Sequence, residues 1–112
     1  MGFVGMVTVS TEKRILCRTL LTPEGIRQMM VIDRGGEALC VEPFSVETAA
    51  TVFEPRPVVI VKTSEVTDFL MDDLDLLEQK NDFIPQIHEY MLAAGLYPGP
   101  GSHSSAVTVL VL

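Results

Sequence analysis

The 112 residues have the length of one domain, so we treat 1–112 as a single domain. Hydrophobic residues make up 47% of the chain and charged residues 21%, a composition that excludes an intrinsically disordered protein. No apolar run approaches the roughly 18 residues of a membrane span. The first residues also lack the basic region of a signal peptide. We therefore predict no membrane partner and a cytoplasmic location.

The net charge of −7 comes entirely from the second half of the chain. Residues 1–62 hold seven basic and seven acidic residues, whereas residues 63–112 hold eight acidic residues and one basic residue, Lys80. Because nucleic-acid phosphates require a basic surface, this distribution predicts no nucleic-acid partner. It indicates a solvated acidic helix surface, or one that meets a basic protein surface.

Residues 1–63 are predicted to be mostly strands. The aliphatic and β-branched runs FVGMVTV and RILCRTLL are joined by the polar STEK, and TPEG is a turn. The clearest hairpin is RQMMVID–RGG–EALCVEP, which turns around Gly35 and Gly36. Residues 45–53 fit either a strand or a helix. The run VVIVKT is apolar on both faces, which predicts a central strand.

The hydrophobic period changes to that of helices in residues 64–95. The segment SEVTDFLMDDLDLLEQK predicts a helix with Ser64 as its N-cap. NDFIPQIHEYMLAAG predicts a second helix, capped by Gly95, and residues 105–112 predict a terminal strand. The order predicts an α+β fold with a mainly antiparallel sheet of about six strands and two consecutive helices on one face. The apolar face of the first predicted helix contains Val66, Phe69, Leu70, Leu74 and Leu77.

The chain shows no recognisable pattern for a metal, a cofactor or a catalytic nucleophile. Cys17, Cys40, His88 and His103 lack the close pairs of zinc ligands, and we expect both cysteines to be buried and free. The stretch GPGSHSS follows a helix and precedes a strand, which is the reverse of the order in phosphate-binding loops. We predict that it is a connector.

Two charged residues stand among apolar neighbours. Asp73 lies four positions from both Phe69 and Leu77 on the first predicted helix. Arg18 shares a strand face with Leu20. Two interpretations stay open: Asp73 lies at a solvent-exposed rim, or it pairs with Arg18 inside the fold.

The stretch ILCRTLLTPEGIRQMMVIDRGGEALCVEP, residues 15–43, resembles the small β-sandwich that accompanies amidohydrolase barrels. In that family a strand, a turn like TPEG, a strand, a glycine-containing hairpin and a further strand precede the catalytic barrel. The family's H-x-H metal motif is absent here, and 112 residues cannot hold the barrel. The resemblance implies a similar strand meander and supplies no catalytic residue.

These patterns do not establish a biochemical function, and they leave two hypotheses. The first is a non-catalytic domain that acts through protein contacts, either as a homo-oligomer or with another protein. If the terminal strand is internal, its valines should lie in the core; if it lies at an edge, they should meet a second copy. The candidate interface residues are Leu92, Val107, Val109 and Val111.

The alternative is a small-ligand-binding protein or minor enzyme whose site lies between the sheet and the helices. A cavity on which the candidate polar side chains converge would favour it. Those candidate ligand-binding residues are Arg18, Asp73, His88 and His103.

Overall fold

A computed structural model describes residues 7–45, 51–99 and 101–112. Two single 3-10 turns, Thr63–Glu65 and Ser104–Ala106, precede α1 and β7. The strands and α-helices of this part of the chain are β1 (Thr8–Ser10), β2 (Arg14–Thr22), β3 (Gly25–Asp33), β4 (Cys40–Pro43), β5 (Val52–Glu54), β6 (Val58–Lys62), α1 (Asp68–Glu78), α2 (Phe83–Ala93) and β7 (Val107–Val111).

The strands form one mixed sheet in the order β1-β7-β6-β2-β3-β4, and β5 pairs with β2. β2 runs antiparallel to β3 but parallel to β5 and β6, which pair with its first and second halves. Pro55 and Pro57 separate β5 from β6, because proline cannot donate a ladder hydrogen bond. The predicted α+β class is confirmed, but the described sheet is mixed and has seven strands rather than about six.

The additional strand begins within residues 45–53, whose sequence fits either a strand or a helix. Val52–Glu54 forms β5, whereas residues 46–50 lie outside the described residues. The predicted turn TPEG and the hairpin around Gly35 and Gly36 are confirmed by the antiparallel pairs β2–β3 and β3–β4.

The two strands at the centre of the fold are those with the most apolar sequences. β6 lies between β2 and β7, and Val58–Val61 are all buried, as predicted. β7 lies between β6 and β1, and its residues Val107, Val109 and Val111 are at most 5% exposed. These three valines are core residues. We expected them at an interface only if β7 lay at an edge of the sheet, and it does not.

Both helices pack on one face of the sheet. α1 begins after Thr67, whose hydroxyl accepts a hydrogen bond of 3.1 Å from the amide of Leu70. Thr67 is therefore the N-cap, and the prediction of Ser64 was three residues early because Ser64 lies in the preceding 3-10 turn. The side chains that meet in this first apolar cluster include Leu21, Val59, Val61, Leu70, Leu74, Ile87, Met91 and Leu110.

The end of α2 is fixed by a Schellman motif, as the glycine predicted. Gly95 has a φ of 64°, which favours glycine because other side chains are strained there. The amide of Leu96 donates to the carbonyl of Met91 at 3.0 Å, and the amide of Gly95 donates to that of Leu92 at 3.2 Å. This turn sends the chain back toward the sheet.

The face of the sheet opposite the helices is covered because the sheet curls and the segment before β4 meets the segment before β7. Ala38 pairs with His103, although three strands separate β4 from β7 in the sheet order, so the sheet must curl. The amide of Leu39 donates to Ser102 O at 3.0 Å, and the hydroxyl of Ser104 donates to Gly36 O at 2.7 Å. The concave face beneath this closure contains the second apolar cluster: Ile15, Cys17, Leu20, Ile32, Val58, Ile60, Val107, Val109 and Val111, with Met30 and Leu39 against it.

The two cysteines are free, and they differ in environment. Cys17 is buried in the second cluster. Cys40 is exposed, so the prediction that both are buried was wrong for it: β4 is an edge strand whose four residues are all exposed. No helix in the described part of the chain is long and apolar enough to cross a membrane.

Candidate binding surfaces

The four side chains proposed from the sequence as a ligand site do not meet. Asp73 is exposed, and its Oδ2 accepts a hydrogen bond of 2.8 Å from the hydroxyl of Tyr90 on α2. Arg18 is exposed on β2 and forms no ion pair with any described residue. The rim position of Asp73 is thus confirmed, and its pairing with Arg18 is wrong.

The two histidines have different hydrogen-bond partners. His88 Nδ1 and the hydroxyl of Tyr97 are 2.8 Å apart, which ties α2 to the loop that follows it. His103 Nδ1 lies 2.8 Å from Ser105 Oγ, within the connector before β7. Within the described ranges, no three His, Cys, Asp or Glu side chains lie close enough together to hold a metal ion.

An open groove of about 580 Å³ lies on the concave side of the sheet. Its buried lining residues are Leu20 and Leu21 on β2 and Ile60 on β6. Alternate residues at the edge of the sheet, Leu39, Val41 and Pro43, supply further apolar lining. The loop after α2 contributes Tyr97, Pro98, Gly99 and Gly101.

Arg27 reaches this groove because the backbone of the β2–β3 hairpin is kinked. Cys17 and Leu20 both belong to the second cluster although they are three residues apart, so the alternation of side chains is broken between them. Met29, across from this break, has a φ of 54°, a left-handed conformation unusual for a residue other than glycine. Arg27 is the ladder partner of Leu20, so the break turns it toward the concave face.

The polar groups at the groove are few. Glu24 lies in the β2–β3 turn and lines the groove together with Arg27 and Tyr97. Burial, and to a smaller degree the charge of Glu24, raises the pKa of the Tyr97 hydroxyl. Neither Glu24 nor Arg27 forms an ion pair with a residue that the structure describes.

A second surface is the outward face of α1. Phe69 is 84% exposed and Leu76 is 63% exposed. Seven residues, about two helical turns, separate them, so they share a face. Leu70 and Leu74 are buried and form the side of α1 that packs in the core. The prediction that Phe69 belongs to the core face was therefore wrong: the two buried leucines already fill that side.

Carboxylates surround this exposed pair. Asp72 lies three residues after Phe69 and four before Leu76, and Asp68 lies one turn before Asp72. Asp68 and Asp72 are exposed and form no ion pair with a described residue. The helix contains no lysine or arginine. Phe69, Leu76, Asp68 and Asp72 define what we call the α1 face.

The sequence of α1 indicated that the helix has apolar residues beyond its core face. The helical period alone did not show which of them are exposed. Six of the eleven residues of α1 are apolar, more than one core-facing stripe requires. The groove gave no such signal, because it joins residues from distant parts of the chain. Leu92, the interface candidate on α2, is 49% exposed and lies on the other helix, beside Pro23 and Tyr97.

No protein-family model matches this chain, and neither a curated protein nor a solved structure is significantly similar to it.

Proposed function

We propose that this chain is a non-catalytic domain that binds another protein through the α1 face. The observation that carries the proposal is the exposure of Phe69 and Leu76, at 84% and 63%, on one side of a helix whose opposite side is buried. Large apolar side chains that lie together on a surface mark interaction sites more often than isolated ones do. The scattered positions of the candidate polar residues give no support to a catalytic site.

Burial of this pair supplies enough free energy to anchor a partner. A phenylalanine or leucine side chain contributes about 1.5–3 kcal/mol when it is fully removed from water. Phe69 is 84% exposed and Leu76 63% exposed, so more than half of that contribution stays available for binding. A few central apolar residues commonly dominate the energy of an interface.

The charges around the pair define the kind of partner. Asp68 and Asp72 present carboxylates beside Phe69 and Leu76, and the helix has no basic residue to neutralise them. A partner surface with lysine or arginine beside apolar side chains would match both properties. The simplest such surface is a basic amphipathic helix, which lays its apolar side along α1.

The same charges argue against a second copy of the chain as the occupant. A symmetric dimer through the α1 face would bring Asp68 and Asp72 of both copies together. Like charges placed opposite each other across an interface oppose association. We therefore propose a different protein as the partner. A cytoplasmic location is part of the proposal, since a reducing compartment keeps the exposed thiol of Cys40 free.

A designed peptide probe tests the proposal. The probe is an amphipathic helix of leucine and lysine, about four turns long, and its control replaces each lysine with glutamate. In a titration followed by amide NMR shifts, we expect the lysine peptide to shift residues of α1 and the glutamate peptide to shift none. The double variant Phe69→Ser/Leu76→Ser should lose at least about tenfold in affinity.

A matched variant on the other helix separates specific binding from general attraction to an acidic protein. Leu92→Ser removes an exposed leucine from α2 and leaves the α1 face intact. It should bind the lysine peptide as the unmodified chain does. Equal affinity of the Phe69→Ser/Leu76→Ser variant, or shifts centred outside α1, would overturn the proposal.

A further inference from the structure

The groove has the size and lining of a small-molecule site, independent of the α1 face. Its volume of about 580 Å³ lies within the range of roughly 300–1,000 Å³ that ligand pockets occupy. Most of its lining is apolar and includes the buried residues Leu20 and Ile60. Such a surface retains the hydrocarbon part of a ligand.

We propose that the groove binds a small amphipathic carboxylate, whose hydrocarbon chain lies on Leu20 and Ile60 and whose acid group pairs with Arg27. The guanidinium of Arg27 has no ion-pair partner among the described residues. Its planar donors match the two oxygens of a carboxylate in a bidentate pair. The arginine thus supplies the orientation that apolar contacts alone cannot give.

The kink at Met29 is a second observation that points to this arrangement. A regular hairpin would place Leu20 and Cys17 on opposite faces, and Arg27, the ladder partner of Leu20, would leave the groove with it. The left-handed backbone of Met29 coincides with the break that brings Arg27 to the concave side. Strained backbone of this kind is found preferentially at binding sites.

Glu24 defines the direction in which the ligand lies. It belongs to the turn at the end of the hairpin, and its charge raises the pKa of the neighbouring Tyr97 hydroxyl, second to burial. A ligand carboxylate is repelled by Glu24 and attracted by Arg27. The acid group therefore lies at Arg27, and the hydrocarbon chain extends from there toward Leu39 and Val41.

Three probes with the same hydrocarbon chain test the assignment: decanoate, 1-decanol and decylamine. Titrations followed by amide NMR shifts should place all binding at the groove. Decanoate should bind at least about tenfold more tightly than 1-decanol, because only the acid forms the charged pair with Arg27. Decylamine should bind more weakly than decanoate.

Variants of exposed residues identify the role of each charge. Arg27→Gln should raise the dissociation constant of decanoate about tenfold and leave that of 1-decanol unchanged. Arg18→Gln removes an exposed arginine from the neighbouring strand, outside the groove lining, and should change neither constant. Glu24→Gln should tighten decanoate binding, since it removes the repulsion.

A variant of the apolar lining tests the hydrocarbon contact. Val41→Asp, at an exposed position of the edge strand, should weaken the binding of both decanoate and 1-decanol. Three results would overturn the proposal: decanoate and 1-decanol bind equally, Arg27→Gln behaves as Arg18→Gln does, or the shifts lie outside the groove. Failure of the α1 face in its own test would leave this proposal unaffected.

Discussion

The hydroxyl of Tyr90 on α2 donates a hydrogen bond of 2.8 Å to Asp73 Oδ2 on α1 and so joins the two helices. We expect Tyr90→Phe and Asp73→Ala each to lower the free energy of unfolding by about 0.5–1.5 kcal/mol, the usual contribution of one intramolecular hydrogen bond. Because the two changes remove the same contact, the double variant should lose little more than either single one. Urea unfolding measures all three, and additive losses would show that the bond contributes nothing.

Asp75 joins the beginning of the described chain to α1. Its Oδ1 accepts a hydrogen bond of 3.2 Å from the amide of Val7, directly before β1. We expect Asp75→Ala to loosen β1 and to speed hydrogen exchange at Thr8–Ser10, while the amides of β6 keep their protection. Asp72→Ala, a neighbouring exposed aspartate without such a bond, is the matched control. Equal exchange in the two variants would contradict this role.

The buried thiol of Cys17 makes stability depend on pH in the alkaline range. Burial, and to a smaller degree the charge of Glu54, raises the pKa of this thiol from 9.0 to about 12. Below pH 9.0 the folded and unfolded chains both hold the proton. Between pH 9.0 and about 12 only the unfolded chain loses it, so the free energy of unfolding falls as the pH rises.

Cys17→Ala isolates this contribution. Below pH 9.0 the variant should be less stable, because it leaves a small cavity. The difference from the unmodified chain should shrink as the pH rises above 9.0, since only the unmodified chain loses stability through this thiol. A constant difference across the alkaline range in urea unfolding would show that the Cys17 thiol does not titrate as described.

Met29 stores backbone strain that a substitution can relieve or increase. It is 42% exposed with a φ of 54°, so its side chain contributes little to the core while its backbone is strained. We expect Met29→Gly to be neutral or to stabilise by up to about 1 kcal/mol, because glycine adopts this conformation freely. Met29→Val should destabilise by about 1–2 kcal/mol, because β-branched residues resist it. Thermal unfolding compares them, and the reverse order would contradict the assignment of strain.

The sequence predicted the parts of the fold that depend on local patterns. The run VVIVKT identified the central strand β6, and Gly95 identified the end of α2, because each pattern has one physical explanation. The first helix was located correctly, but its N-cap was not, since Ser64 and Thr67 are chemically equivalent as caps. Only the tertiary structure decides between them.

What the sequence did not predict depends on contacts between distant residues. The parallel pairing of β2 with β6 follows from sheet order, which local periodicity does not encode. The groove likewise joins Arg27 and Tyr97, which are 70 residues apart, and depends on a kink at Met29 that no residue type in the hairpin signals. Phe69 was placed in the core because an apolar residue beside a core stripe is usually buried.

The most direct test of the α1 face is calorimetric titration of the leucine–lysine peptide into the unmodified chain and into Asp68→Asn/Asp72→Asn. We predict that neutralising the two aspartates weakens binding about tenfold at low salt and abolishes most of its salt dependence. The Phe69→Ser/Leu76→Ser variant should bind weakly at every salt concentration. Affinities that are the same for all three proteins, at low and at high salt, would contradict the claim that this helix face is a protein-binding surface.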